Sequence, residues 1–140
     1  MILATPYTEH EARFSPNGKW VAYESNESGK EEIYIMRSDQ PGKLRVSTSG
    51  GESPVWRRDG KELFFLDAAN SLVAVDVDTS GSAVRLGVPH ALFPAAGVRR
   101  NGGPFDVTAD GKKFLINSGD VKESGEPMTL VLNWPAELRK

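Results

Sequence analysis

The 140-residue sequence contains no cysteine. That excludes disulfides, thiolate metal ligands and cysteine nucleophiles together. Histidine is scarce, with only His10 and His90, so any imidazole chemistry rests on one of these two residues. No G-x-S-x-G elbow occurs, and a serine triad would need scattered partners. Charge of one sign is also lacking: 17 Lys and Arg face 19 Asp and Glu, for a formal net charge of −2. This leaves no electrostatic case for nucleic acid or an anionic membrane surface, and neither partner is expected. No apolar run approaches the roughly 18 residues of a membrane span, and residues 1–6 lack a basic, then apolar, leader pattern. As written, the expectation is a cytoplasmic protein; a piece of a longer chain would equally suit a periplasmic or other extracytoplasmic setting. Helical periodicity is absent as well.

What is present is turn chemistry and short alternating runs. Fourteen glycines and nine prolines suit many tight connections. Arg13-Phe14-Ser15 leads into Pro16-Asn17-Gly18, where proline presets one turn position and Asn-Gly supplies positive φ. A strand from Trp20 to Glu24 follows, then a turn at Asn26-Glu27-Ser28-Gly29, a strand at Ile33-Tyr34-Ile35-Met36 and another at Leu44-Arg45-Val46-Ser47-Thr48.

The pattern then recurs. Glu52 to Trp56, the turn Arg57 to Gly60, Glu62 to Leu66 and Ser71 to Val77 open a second unit, whose outer strand runs through Val84-Arg85-Leu86 and, past Pro89, Ala91-Leu92-Phe93. A third unit comprises Gly103 to Val107, the turn Thr108 to Gly111, Lys113 to Asn117 and Met128 to Leu132. The turn glycines Gly18, Gly60 and Gly111 lie 42 and 51 residues apart. Four-stranded repeats of about 40 to 50 residues indicate β-propeller blades.

The expected fold is therefore all-β, with blade 1 over 9–48, blade 2 over 52–93 and blade 3 over 101–134. The third unit lacks a fourth strand, while residues 1–6 hold an orphan one. Propellers close with about four to eight blades. Three blades per chain thus predict a homodimer, a six-bladed ring in which each N-terminal strand completes the partner's third blade and removes both open edges. A fragment of one longer propeller is the plain alternative.

Phe14-Ser-Pro-Asn-Gly-Lys-Trp-Val-Ala-Tyr23, with Glu32-Ile-Tyr-Ile35, resembles the repeat of TolB-like, WD-like bacterial β-propellers, with Asn17 where that family usually has Asp. Ser47-Thr-Ser-Gly-Gly-Glu52, Pro54-Val-Trp56, Asp59-Gly-Lys-Glu-Leu-Phe64, Pro89-His-Ala-Leu-Phe93 and Leu132-Asn-Trp134 are similar to the C-terminal half of propellers attached to bacterial serine/threonine kinases. The kinase motifs themselves are absent, so the resemblance implies a sensing or interaction module and no phosphotransfer.

Candidate chemistry gathers where each innermost strand begins, at the expected channel mouth. Counting back eight residues from each turn glycine aligns His10, Glu52 and Gly103; the next position aligns Glu11, Ser53 and Pro104. Glu9, His10, Glu11, Glu52 and Asn101 form a candidate divalent-cation set, calcium if oxygens dominate and a transition metal if His10 binds. On that reading Glu52 and His10 are the catalytic pair of a metal-dependent ester or phosphoester hydrolase at the dimer axis, of phosphotriesterase, esterase or lactonase type. The plainer reading makes them solvated channel residues of a binding module that takes a small molecule or protein at the channel. Arg99 and Arg100 are candidate anion ligands through their forked guanidinium groups. Asp76 to Gly81 imitates the start of a calcium loop, but Gly87 stands where the bidentate glutamate belongs, so an ordinary turn is expected. Ser53 beside Glu52, a conceivable nucleophile for His10, reads as an ordinary strand serine. Asp106 reads as a hydrogen bonder within its blade.

Overall fold

The computed structural model describes residues 5–95, 97–100, 103–118 and 128–131, the last segment by its backbone. Among the described residues twelve strands form three antiparallel sheets and there is no helix, hence none long and apolar enough to cross a membrane. Sheet 1 is a meander of β1 (Glu9–Phe14), β2 (Trp20–Ser25), β3 (Glu32–Arg37) and β4 (Lys43–Arg45). Sheet 2 runs β5 (Glu52–Trp56), β6 (Glu62–Leu66), β7 (Ser71–Asp78), and both β8 (Arg85–Leu86) and β9 (His90–Pro94) pair with β7. Sheet 3 runs β10 (Phe105–Val107), β11 (Phe114–Asn117), β12 (Met128–Val131).

The tight turns differ from the expectation in one detail. Only the glycine takes left-handed φ, 69° at Gly18, 72° at Gly60 and 73° at Gly111. Asn17 works through its side chain instead: its Oδ1 accepts the Lys19 N–H at 3.0 Å, as Asp59 does for Lys61 and Asp110 for Lys112, both at 3.0 Å. The turn needs an acceptor there and not a charge, and Asn17 supplies it at the same distance as the two aspartates.

The outer strand of sheet 2 is one strand in two pieces. Arg85 and Leu86 pair with Asp78 and Val77, whereas His90, Ala91, Phe93 and Pro94 pair with Ala74, Val73, Leu72 and Ser71. Pro89, which has no N–H to give the ladder, falls in the gap.

The sheets stack face to face. Trp20, Ala22, Ile33 and Ile35 of sheet 1 bury against Trp56, Leu63, Phe65, Val73 and Val75 of sheet 2. The opposite face of sheet 2, Phe64, Leu66, Leu72 and Ala74, packs on Phe105, Phe114 and Ile116 of sheet 3. Phe114 meets Phe64 and Phe93 edge-on, with centroids 5.1 and 5.6 Å apart. Leu63 to Leu66 are therefore all buried, so the middle strand reads as a continuous apolar run. Each such side chain contributes about 1.5–3 kcal/mol. On the face of sheet 1 turned away from sheet 2, Val21, Tyr23, Tyr34 and Met36 form a separate cluster. Burial there pushes the Tyr23 phenol up to about 12, with Glu27 and Glu9 adding to the rise.

The expected strand within residues 1–6 lies, for residues 1–4, outside the described residues, as do Asn101 and residues 132–134.

Candidate functional site

β1, β5 and β10 are the first strands of their sheets, and the starts of β1 and β5 share one construction. Both strands break register with their neighbour, between His10 and Arg13 in β1 and between Glu52 and Val55 in β5. The residues in these bulges, Glu11 (φ 51°) and Ser53 (φ 57°), have left-handed backbone despite carrying side chains. In the third sheet the positive φ, 80°, moves to Gly103, because Pro104 cannot adopt it. A strained non-glycine residue costs on the order of 1–3 kcal/mol and persists only where its surroundings hold it.

At Ser53 the holding group is Glu24 of β2. Its Oε1 accepts the Ser53 backbone N–H across the boundary between sheets 1 and 2. Both residues are buried. Burial pushes the Glu24 carboxyl up, the Ser53 N–H opposes this, and the negative charges of Glu52, Glu11 and Glu31 push it further up. Glu24 thus sits close enough to the carboxylates at the starts of β1 and β5 to feel their charge.

Most of them already hold partners within the chain. Glu52 pairs with Arg100, Nη1 to Oε2 2.5 Å. Glu11 takes the Arg13 guanidinium at 2.9 Å, and Glu9 accepts the Thr5 hydroxyl. His10 is exposed and has Glu24 as its cross-strand partner in the β1–β2 ladder. Among the described residues no group of three or more His, Asp and Glu side chains is placed to hold a metal ion.

Arg100 is not an open anion receptor. Besides Glu52, it donates from Nε to Asn70 Oδ1 at 2.9 Å and from Nη2 to the Asp67 carbonyl at 2.8 Å. All three contacts tie the β9–β10 connection to the end of sheet 2 where β5 begins. Arg99 is exposed, its N–H bonded to the Asn117 carbonyl at 2.8 Å. A groove of about 690 Å³ lies elsewhere, lined by Asn17, Asp59, Asp76, Asp78 and Arg85. Its Asp59 is paired with Arg57. The hydroxyl and N–H of Ser80, with Arg85, bring Asp78 down to about 2, as an ordinary turn carboxylate.

The chain folds as β-propellers do. An oligogalacturonate lyase from Vibrio parahaemolyticus superposes with a TM-score of 0.61 at 14% identity, over 82% of this chain and 31% of its own. A candidate 6-phosphogluconolactonase from Bacteroides uniformis gives 0.57 at 17%, over 94% and 43%. TolB from Acinetobacter baumannii gives 0.50 at 17%, over 92% and 41%. At these identities the likeness is one of fold. The chain spans 31% to 43% of the length of these three proteins. No protein-family model and no curated protein matches it.

Sequence reasoning missed Glu24 and Glu32. Glu32 is fully buried. Its Oε2 accepts the Ser47 hydroxyl and, at 3.2 Å, the Gly50 N–H, pinning the connection from sheet 1 to sheet 2. The signal for Glu24 was present in the spacing: Glu11 and Ser53 share one offset, and a repeated bulge needs something to hold it.

Proposed function

We propose that this chain is half of a six-bladed propeller, closed by a second copy through exchange of the N-terminal strand. We further propose that the ring serves as a binding and interaction module for a small molecule or protein segment at its channel mouth. One observation carries this reading. Among the described residues sheet 3 ends at its third strand, β12, whereas sheets 1 and 2 each carry a fourth at the outer edge. An open sheet edge templates pairing with another chain. The partial span of the propellers it superposes on, and the resemblance of its repeats to TolB-like propellers, support the same reading.

Binding is favoured over catalysis because Glu24, Glu52, Glu11 and Glu9 are engaged by Ser53, Arg100, Arg13 and Thr5. The negative charges of Glu52, Glu11 and Glu31 that Glu24 feels support a second reading, a divalent-cation hydrolase of activated esters or phosphoesters, with calcium or a transition metal held by Glu9, His10, Glu11, Glu52 and Asn101. Size-exclusion chromatography with light scattering tests the ring: the expected mass is twice the 15.3 kDa chain, and a single-chain mass at high concentration rejects it. Metal content of the purified protein separates the functions. Stoichiometric calcium, zinc or manganese, with ester hydrolysis abolished by chelation and by Glu52→Ala, would replace the binding reading.

A further inference from the structure

The contact between Glu24 and Ser53 joins two fixed positions of the repeat, and these positions recur. Six residues after the turn glycine stand Glu24, Leu66 and Asn117; seven residues before it stand Glu11, Ser53 and Pro104. At the first boundary the acceptor Glu24 meets the N–H of Ser53. At the second, the same two positions hold Leu66, which has no acceptor, and Pro104, which has no N–H to donate. The two junctions are each self-consistent: polar with polar, apolar with a residue lacking the donor.

One acceptor and one donor remain. Asn117 lies on the β11 face turned away from sheet 2, in register opposite Met128. Glu11 lies in the β1 bulge, with the left-handed φ of Ser53. Its amide therefore takes the orientation of the Ser53 amide, toward the side on which a preceding sheet would stack. One strand outward on that face of sheet 1, Val21 and Tyr23 are already buried within a single chain, so the open apolar positions are those of the innermost strand and of sheet 3. Leu115, 38% exposed, occupies the repeat position of the fully buried Ala22, and Phe14, 56% exposed, that of Trp56, which is 9% exposed.

We infer that the side-chain oxygen of Asn117 accepts the backbone N–H of the partner's Glu11, once at each of the two junctions of the dimer, and that Leu115 and Phe14 are buried in the same contact. The occupant of the outer face of sheet 3 is thus the inner end of sheet 1 from a second copy. This rests on the ring reading above and adds the polar contact that sets how the two halves meet.

Sedimentation across a concentration series tests it. Asn117→Leu leaves two buried N–H groups per dimer without acceptors and is expected to raise the dimer dissociation constant by tenfold or more, roughly the effect of two lost buried hydrogen bonds. Asn117→Asp keeps an acceptor, as Glu24 does, and is expected to stay within about threefold of the parent. Amide exchange of the unaltered protein supplies a readout independent of any variant: Glu11 N–H is expected to gain protection on dilution-reversible association. A parent dimer with unaltered affinity in Asn117→Leu, or with an unprotected Glu11 amide, overturns the contact while leaving the ring intact. A parent that sediments as a single chain overturns the ring itself.

Discussion

Removing the Glu32 carboxylate tests the connection between sheets 1 and 2. The side chain is fully buried, its Oε2 accepting from Ser47 Oγ and Gly50 N. Lys30 Nζ lies 3.2 Å from Oε1 as an ion pair whose geometry is not that of a hydrogen bond. In Glu32→Ala the Gly50 N–H loses its acceptor, at a cost of about 1–3 kcal/mol, and Ser47 loses a charged one, about 1.5–3 kcal/mol. Two terms offset part of this. The lysine is more than half exposed and returns to water at little cost, and the desolvation of the buried carboxylate is relieved.

A net loss of about 3 kcal/mol follows. For a chain of this length the unfolding entropy converts that to a fall in Tm of about 10 °C. Ser47→Ala is expected to cost less, because Ser47 Oγ also accepts the Ile33 N–H at 2.8 Å and the Gly50 contact survives. The double variant is expected to cost less than the sum, by about 1 kcal/mol, since the two residues share one bond. Thermal unfolding followed by circular dichroism reads all four proteins. Glu32→Ala within about 1 °C of the parent, or strict additivity with Ser47→Ala, would refute the assignment of this carboxylate as the clamp on the loop.

Two further expectations concern the same boundary. The Glu24 carboxyl is held above its usual range chiefly by burial, so the folded chain binds its proton more tightly than the unfolded chain; that contribution is complete at low pH and is lost as pH rises through the folded value. Glu24→Gln, neutral at every pH, should therefore gain on the parent in Tm as pH rises from about 4 to 8, and a parent that gains on the variant would show the carboxylate to be stabilised in its charged form. At Gly51 an added Cβ would lie 2.7 Å from Ile33 Cγ1 and 2.9 Å from Ser47 Cβ. Gly51→Ala should cost about 1–3 kcal/mol, read as a lowered urea midpoint with an unchanged m-value.

The sheets were legible in the sequence because their causes are local. Alternation along Ser71 to Val77, the paired turns ending in Gly18, Gly60 and Gly111, and the interruption at Pro89 each act within a few residues, and the structure has them there. The site was less legible because its contacts are not local. Glu24 reaches Ser53 across 29 positions, and Arg100 reaches Asn70 across 30. Nothing in the residues around Arg100 shows that its guanidinium is taken up by its own chain, so a cationic loop beside glycines looked open to an anion. Glu32 stood inside the Glu-Ile-Tyr signature, but strand periodicity assigns it only a place in β3 and not the loop that its carboxylate holds.

Two kinds of contact therefore hold the described chain together, and they do different work. The apolar clusters of Leu63, Phe65, Val73 and Val75, and of Phe64, Leu66 and Phe114, are non-directional; they fix that the sheets stack, and their loss is read as stability. The polar contacts are directional and lie at the end where β5 begins: Glu24 with the strained Ser53, and Glu52 with Arg100, which is itself held by Asn70 and Asp67. Each joins one sheet to the next sheet or to the connection that leads there, so they fix how the inner strands meet. Substitutions in the first set should unfold the chain. Within the second set the cost divides by burial. The half-buried Glu52–Arg100 pair should contribute little to folding, whereas loss of the Glu24 acceptor strands the buried Ser53 N–H and should cost about 1–3 kcal/mol. Both should shift how the starts of β1 and β5 are held more than whether the sheets stack.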